Sequence, residues 1–261
     1  FSGTITAAGS ETITLSDANA ATGLTNIEAY TLANGAQTFT LGAASQDVTT
    51  GSGAVVIDTG AVVDITDAAL DGRNSTTLTI NVAADTDISD AIITGNLGTQ
   101  DANYTIDVAE NADAITMMIA QHALLGTVTG GGDATITLSD AGTVTGNANI
   151  GAYALATAGG TTFTLGSDTQ SVTTGTGGAD TVDVGTRTAT GTFTTIATDT
   201  IKLDTGADVQ GVDSGAGAGG AFTANNLSLV SGASVTMTAA QNNSFSGTIT
   251  AAGSETITLS D

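Results

Sequence analysis

The chain of 261 residues contains no proline, no cysteine and no tryptophan, and its aromatic content is 3%. Each absence narrows the field. Without cysteine there is no disulfide framework. That would be unusual for a small secreted domain but is ordinary in long repeat proteins, where neighbouring repeats supply the missing core. Without tryptophan, and with six phenylalanines and three tyrosines in all, a thick core anchored on large rings is not expected. A thin core between closely spaced strands is. No run of 18 or more apolar residues occurs, so no helix is expected to cross a bilayer. Basic residues are nearly absent too: 3 stand against 26 acidic ones, for a net charge of -23. That balance excludes nucleic acid as a partner, since phosphate backbones are held by basic patches, and disfavours anionic membrane surfaces. Almost all the acids are Asp, which favours turns, and hard divalent cations are the partners such oxygens suit. The plainer role of the same charge is to keep a long assembly soluble.

What is present in abundance is repetition. The sequence FSGTITAAGSETITLSD occupies residues Phe1 to Asp17 and again Phe245 to Asp261, identical over 17 residues at a spacing of 244. With Phe1 rather than Met at its start, the chain is expected to be a window cut from a longer array. An older repeat lies inside the period. TITLSD recurs at Thr12 and Thr135, Tyr30 matches Tyr153, TFTLG recurs at Thr38 and Thr162, and Gln46 and Gln170 open matching segments. Thr116 to Gln121 matches Thr236 to Gln241. The expected organisation is a first half-repeat over 1–123, a second over 124–244, and the start of the next period over 245–261. The middles, 60–110 and 186–232, align poorly and are expected to be either coils that have drifted or projecting loops.

Locally, Thr alternates with aliphatic residues, as in Thr12-Ile13-Thr14-Leu15, Thr79-Ile80-Asn81-Val82 and Thr135-Ile136-Thr137-Leu138. This two-residue period with β-branched side chains marks half-buried strands. Ile13 and Leu15, and their copies Ile257 and Leu259, should face inward. Gly, Asp, Asn and Ser punctuate the strands every 8 to 12 residues or so. The one helix-like stretch is Ala109–Leu125, and its counterpart from Val235 to Ser244 reads as a strand and a turn. The expected fold is all-β, a parallel β-solenoid of tandem repeats with roughly 20 to 25 residues per coil and about 4.8 Å of rise. The alternative is a string of β-sandwich domains, which commonly carry tryptophan and a tyrosine corner, and prolines in their loops.

TITLSD, TFTLG and SVTTGTGGADTVDVG resemble the repeat regions of very large secreted bacterial surface proteins, the adhesin and S-layer-like group with RTX-like, calcium-binding nonapeptides. The resemblance covers most of the chain as a style of repeat and implies an exported, extracellular, structural or adhesive protein. Its sharpest segment begins at Gly175. Against the nonapeptide pattern G-G-x-G-x-D-x-U-x, Gly175, Gly178, Asp180 and Val182 match, and Thr176 replaces the second Gly. The expected metal site is therefore Gly175, Gly178, Asp180 and Asp183, with calcium as the ion. In the first half the residue aligned with Asp180 is Val56.

A second acidic group, Asp199, Asp204, Asp208 and Asp213 around Lys202, is expected to be a solvated loop face, as are Asp58, Asp64 and Asp67. Catalysis has little to stand on. The single His122 has no nucleophile motif beside it, no thiol exists, and the G-x-S-x-G elbow is missing. A carboxylate pair for glycoside chemistry would lack aromatic platforms and basic residues. The sequons at Asn74, Asn103 and Asn226 carry no weight in so Thr-rich a chain. The expected function is a structural repeat unit of an extracellular surface fibre, sheath or filament, with self as partner and no enzyme activity. The alternative is a calcium-dependent adhesin or binding module that contacts glycans or other cells.

Overall fold

The computed structural model describes residues 9–82, 85–94, 104–108, 114–129, 134–215 and 217–260. It forms two compact units, Phe1–Ala134 and Thr135–Asp261. Each is a β-solenoid: strands on one face of a coil pair in parallel, in register, with the same face of the next coil. In the first unit one face stacks Thr12–Thr14, Ala29–Thr31, Asp47–Thr49, Ala69–Asp71 and Ile92–Thr94. A second stacks Ala21–Thr22, Gln37–Thr40, Ala54–Asp58, Thr77–Val82, Tyr104–Val108 and Leu125–Thr129. A third pairs Thr86–Asp87 with Ala114–Met117. The second unit repeats the plan. Thr135–Leu138, Ala152–Ala154, Ser171–Thr173 and Phe193–Thr194 form one face. Thr143–Thr145, Thr162–Thr164, Thr181–Gly185, Thr200–Leu203, Asn226–Leu229 and Ile249–Thr250 form another. Ser234–Met237 pairs with Thr256–Leu259. Register partners lie as little as 17 residues apart (Thr12 and Ala29) and as many as 29 (Thr86 and Ile115), a wider spread than the roughly 20 to 25 residues per coil expected from the sequence.

The alternation of Thr with aliphatic residues explains the stacking. Inward positions form columns of like residues, such as Phe39, Ile57, Ile80, Ile106 and Val128, all at or below 4% exposure. Each such side chain contributes roughly 1.5–3 kcal/mol when fully buried, so many small contributions replace a few large rings. The rings that exist are placed alike in both units. Tyr30 lies 4.7 Å from Phe39, and Tyr153 lies 4.6 Å from Phe163. Each hydroxyl accepts a backbone N–H, from Leu24 at 2.8 Å and Asn147 at 2.7 Å.

Between Ala109 and Leu125, residues 109–113 lie outside the described set. Of the rest, Ala114–Met117 is a strand and Ile119–Ala123 a five-residue helix. The counterpart differs from its sequence reading: after the strand Ser234–Met237, Ala239–Ser244 is a helix. A capping box produces it. Gln241 N donates to Thr238 Oγ1 at 3.1 Å, and Thr238 N donates to Gln241 Oε1 at 3.0 Å. The poorly aligned middles run mainly as coils over their described residues, with Ile65, Leu70, Ile80, Ile88, Ile201, Val209 and Leu227 all buried in the core, and one antiparallel turn brings Ala218 back onto Asp213.

Candidate functional site: an acidic corner and open strand edges

Asp180 stands just before the strand Thr181–Gly185 and is 1% exposed. Its Oδ1 accepts Thr161 N at 2.8 Å and its Oδ2 accepts Gly175 N at 2.8 Å. Asp180 N in turn donates to Asp199 Oδ1 at 2.9 Å, while Asp199 Oδ2 accepts Thr174 Oγ1 at 2.6 Å and Ile196 N at 2.7 Å. Asp199, expected on a solvated loop, is therefore fully buried. A carboxylate tolerates such burial when N–H and O–H donors surround it, and here they come from three successive coils. Asp204, Asp208 and Asp213 stay half-buried at turns.

The four residues of the expected metal site are brought near one another only in part. Gly175 meets Asp180 through its N–H, not its carbonyl. Asp183, two positions along the strand from Thr181, pairs with Lys202 Nζ at 2.6 Å across the coil boundary and accepts Gly185 N at 3.0 Å. The Asp183 carboxylate, together with Asp204, raises the Lys202 ammonium above its ordinary range. The glycines have a packing cause. A Cβ on Gly175 would stand 2.0 Å from Ala156 O, and one on Gly178 would stand 2.8 Å from Ala158 O. Gly51, which matches Gly175 in the first unit, would put its Cβ 2.1 Å from Ala33 O although no Asp follows at the corner. A calcium ion wants free carboxylate and carbonyl oxygens. The Asp180 oxygens are turned to amide N–H groups and the Asp183 carboxylate to the Lys202 ammonium, so these residues do not fit one as arranged. No cluster of three or more His, Cys, Asp or Glu side chains suited to a metal occurs among the described residues.

The register also corrects the alignment. Phe39 pairs with Ile57, and Phe163 with Val182, so the residue in the place of Asp180 is Val55, not Val56. One extra residue between Gly177 and Asp180 shifts the second unit. By the same reasoning Leu78 holds the place of Asp199, since Ile80 and Ile201 are the next inward residues.

The remaining Asp residues explain why the acids are Asp and not Glu. Asp58, Asp71, Asp87, Asp183, Asp208 and Asp213 each accept the backbone N–H two residues on, at 2.8 to 3.1 Å. A shorter side chain is what closes such a turn. Asp64 and Asp67 are exposed.

Sequence reasoning noticed four glutamines only as alignment marks. Gln46 Nε2 donates to Leu24 O at 2.6 Å and Ile27 O at 2.9 Å, while its Oε1 accepts Gly42 N at 2.8 Å. Gln170 does the same with Asn147 O, Ile150 O and Gly166 N, at 2.6, 3.0 and 2.6 Å. Gln121 Nε2 bonds Ile88 O at 2.5 Å and Ala91 O at 2.7 Å, and Gln241 Nε2 bonds Val209 O at 2.6 Å. Each one clamps a tight turn of the coil before it. The signal was available: four of seven glutamines occupy matching places in two diverged halves. His122, next to Gln121, is 7% exposed, and burial lowers its pKa.

Columns end at the last coil. Ile249 is 57% exposed although its partner Leu227 is 1% exposed, and Leu259 is 47% exposed over a fully buried Met237. Ile13 and Leu15 at the other copy are half-buried. No family model, curated protein or solved structure matches the chain. No helix among the described residues is long and apolar enough to cross a membrane.

Proposed function

We propose that this chain is a structural repeat unit of an extracellular bacterial surface fibre, sheath or filament, and not an enzyme. The observation that supports it most is the course of the diverged middles. Where they are described they run mainly as coils paired in parallel with their neighbours and carry buried columns, with one short turn that folds Ala218 back antiparallel on Asp213. A binding module would be expected to spend its most variable sequence on projecting loops. The acidic surface suits the same role, since self-repulsion opposes lateral clumping of long assemblies. The calcium-dependent adhesin is the weaker reading, because the oxygens of Asp180 face N–H donors and Asp183 faces Lys202. The test is to raise antibodies against the folded chain and apply them to intact and permeabilised source cells. Labelling of intact cells, along material extending from the surface, is expected. Labelling only after permeabilisation would contradict the proposal.

A further inference from the structure

The 17-residue sequence that occurs twice, described over residues 9–17 at its first occurrence and 245–260 at its second, has a different neighbour at each. At its second occurrence, Thr256–Leu259 pairs in parallel with Ser234–Met237, with Ile257 opposite Val235 and Leu259 opposite Met237. Thr256 N donates to Ala233 O at 2.8 Å and Ser260 N to Met237 O at 3.2 Å. The segment is anchored further by Gly247 N on Asn225 O at 2.9 Å and Thr248 N on Asn226 Oδ1 at 2.8 Å. The ring of Phe245, 7% exposed, packs 5.6 Å from Phe222. At its first occurrence, Thr12–Thr14 pairs in parallel with Ala29–Thr31. There Ala29 N donates to Glu11 O at 3.1 Å and Leu15 N to Thr31 O at 2.9 Å.

In the first copy the strand uses the backbone groups of residues 11 and 15. In the second it uses those equivalent to residues 12 and 16. Successive residues of a strand turn their N–H and C=O to opposite flanks. The two copies therefore bond through opposite flanks, and one strand of this sequence can hold both neighbours at once. We infer that the coil ending at Ser234–Met237 is an acceptor for this sequence whichever chain supplies it, and that its partner in trans is residues 1–17 of a second copy. In such a junction Thr12–Leu15 would lie between its own Ala29–Thr31 and the Ser234–Met237 of the other copy, with Ile13 on Val235. The junction would cover Ile13 and Leu15 of the incoming copy, which are half-buried. This rests on the fibre reading for its biological setting, but not for its chemistry. A heterologous contact of this kind repeats without closing, as a filament requires.

The experiment frees the acceptor in the full chain. Thr256→Pro with Ser260→Pro removes the two N–H groups that bond Ala233 and Met237. Both positions are exposed, Thr256 at the start of the outermost strand and Ser260 just past its end, so the coils beneath are left unchanged. A fluorescent synthetic peptide of residues 1–17 is titrated into wild type and variant, with sedimentation of each chain alone. The variant should bind the peptide about thirtyfold more tightly than wild type, the worth of two net backbone hydrogen bonds in the competing segment. It should also form oligomers that excess peptide disperses. A peptide with proline at the positions of Thr12 and Ser16 should not bind. A monomeric variant that ignores the peptide would overturn the inference, as would oligomers the peptide leaves intact. A second measurement uses the wild-type background. The chain has no cysteine, so Thr236→Cys can be offered a peptide with cysteine at the position of Thr14, the residue equivalent to Thr258, which pairs with Thr236. A mixed disulfide at that position, and none with cysteine at the position of Ser16, is expected. No disulfide at either would reject the register. Failure of surface labelling would leave these binding results standing, and failure of binding would leave the surface location standing.

Discussion

The same inward column is built differently in the two units. In the first it runs Gln37, Val55, Leu78, and in the second Thr161, Asp180, Asp199. The apolar column leaves polar atoms behind: Gln37 Oε1 and Nε2 and Thr50 Oγ1 are buried with no hydrogen-bond partner among the described residues. In the polar column the equivalent of Thr50, Thr174, donates to Asp199, and every oxygen of both carboxylates accepts a hydrogen bond, while Thr161 Oγ1 at the head of the column is itself buried with no hydrogen-bond partner among the described residues. A solenoid column can thus be held by apolar contact or by a ladder of carboxylates and amides. The second needs each carboxylate oxygen matched to a donor, and it is the kind that tolerates substitution least.

The largest effect should come from moving the first unit's residue into the second. Asp180→Val leaves Thr161 N and Gly175 N buried without an acceptor and should cost about 3 kcal/mol, at 1–3 kcal/mol for each orphaned donor. Urea unfolding followed by probes in each unit would measure it, and a cost below about 1 kcal/mol would mean the ladder contributes little. Next come the glutamine clamps, where the two units should agree. Gln46→Leu and Gln170→Leu each remove two donated bonds and orphan one glycine N–H, so losses of about 2–3 kcal/mol are expected in both. Unequal losses would show that the matching geometry conceals different energetics. Gln37→Leu should go the other way. It replaces two unpartnered buried polar atoms with a methyl-bearing side chain and should be neutral or stabilising by about 1 kcal/mol. The smallest effect concerns acidity. His122 sits where the second unit has Asn242, on the helix position after the clamping glutamine. Its folded pKa is lowered by burial, so the unfolded chain takes up the proton first. Stability should fall as pH drops below the ordinary histidine value of about 6.5 and level off below the folded pKa. His122→Asn should flatten that part of the melting-temperature profile while leaving the carboxylate-dependent fall at lower pH. An unchanged profile would mean the imidazole is as accessible folded as unfolded.

Much of this was legible in the sequence. Alternation of Thr with Ile, Leu and Val fixes which side of each strand is inward, and a column forms because every coil repeats the pattern. The 17-residue identity announced the repeat. Three things were hidden for physical reasons. The helix Ala239–Ser244 depends on a Thr-x-x-Gln cap, which in a chain rich in Thr does not stand out. Asp199 looked like its acidic neighbours because burial of a carboxylate is decided by donors on other coils, some 25 residues earlier for Thr174. The Gly175–Asp180 segment resembled a calcium loop because glycine and aspartate serve two purposes. Close approach of coils needs glycine, and backbone donors need an acceptor, with or without a cation.

Wild type and Asp180→Val should be melted in millimolar calcium chloride and in sodium chloride of equal ionic strength. If Asp180 serves as an acceptor for backbone N–H groups, each protein should melt at the same temperature in both salts, with the variant lower in each. A calcium-specific rise in the wild type that Asp180→Val abolishes would contradict it, because bound calcium stabilises the folded state by linkage and the corner would then be a cation site.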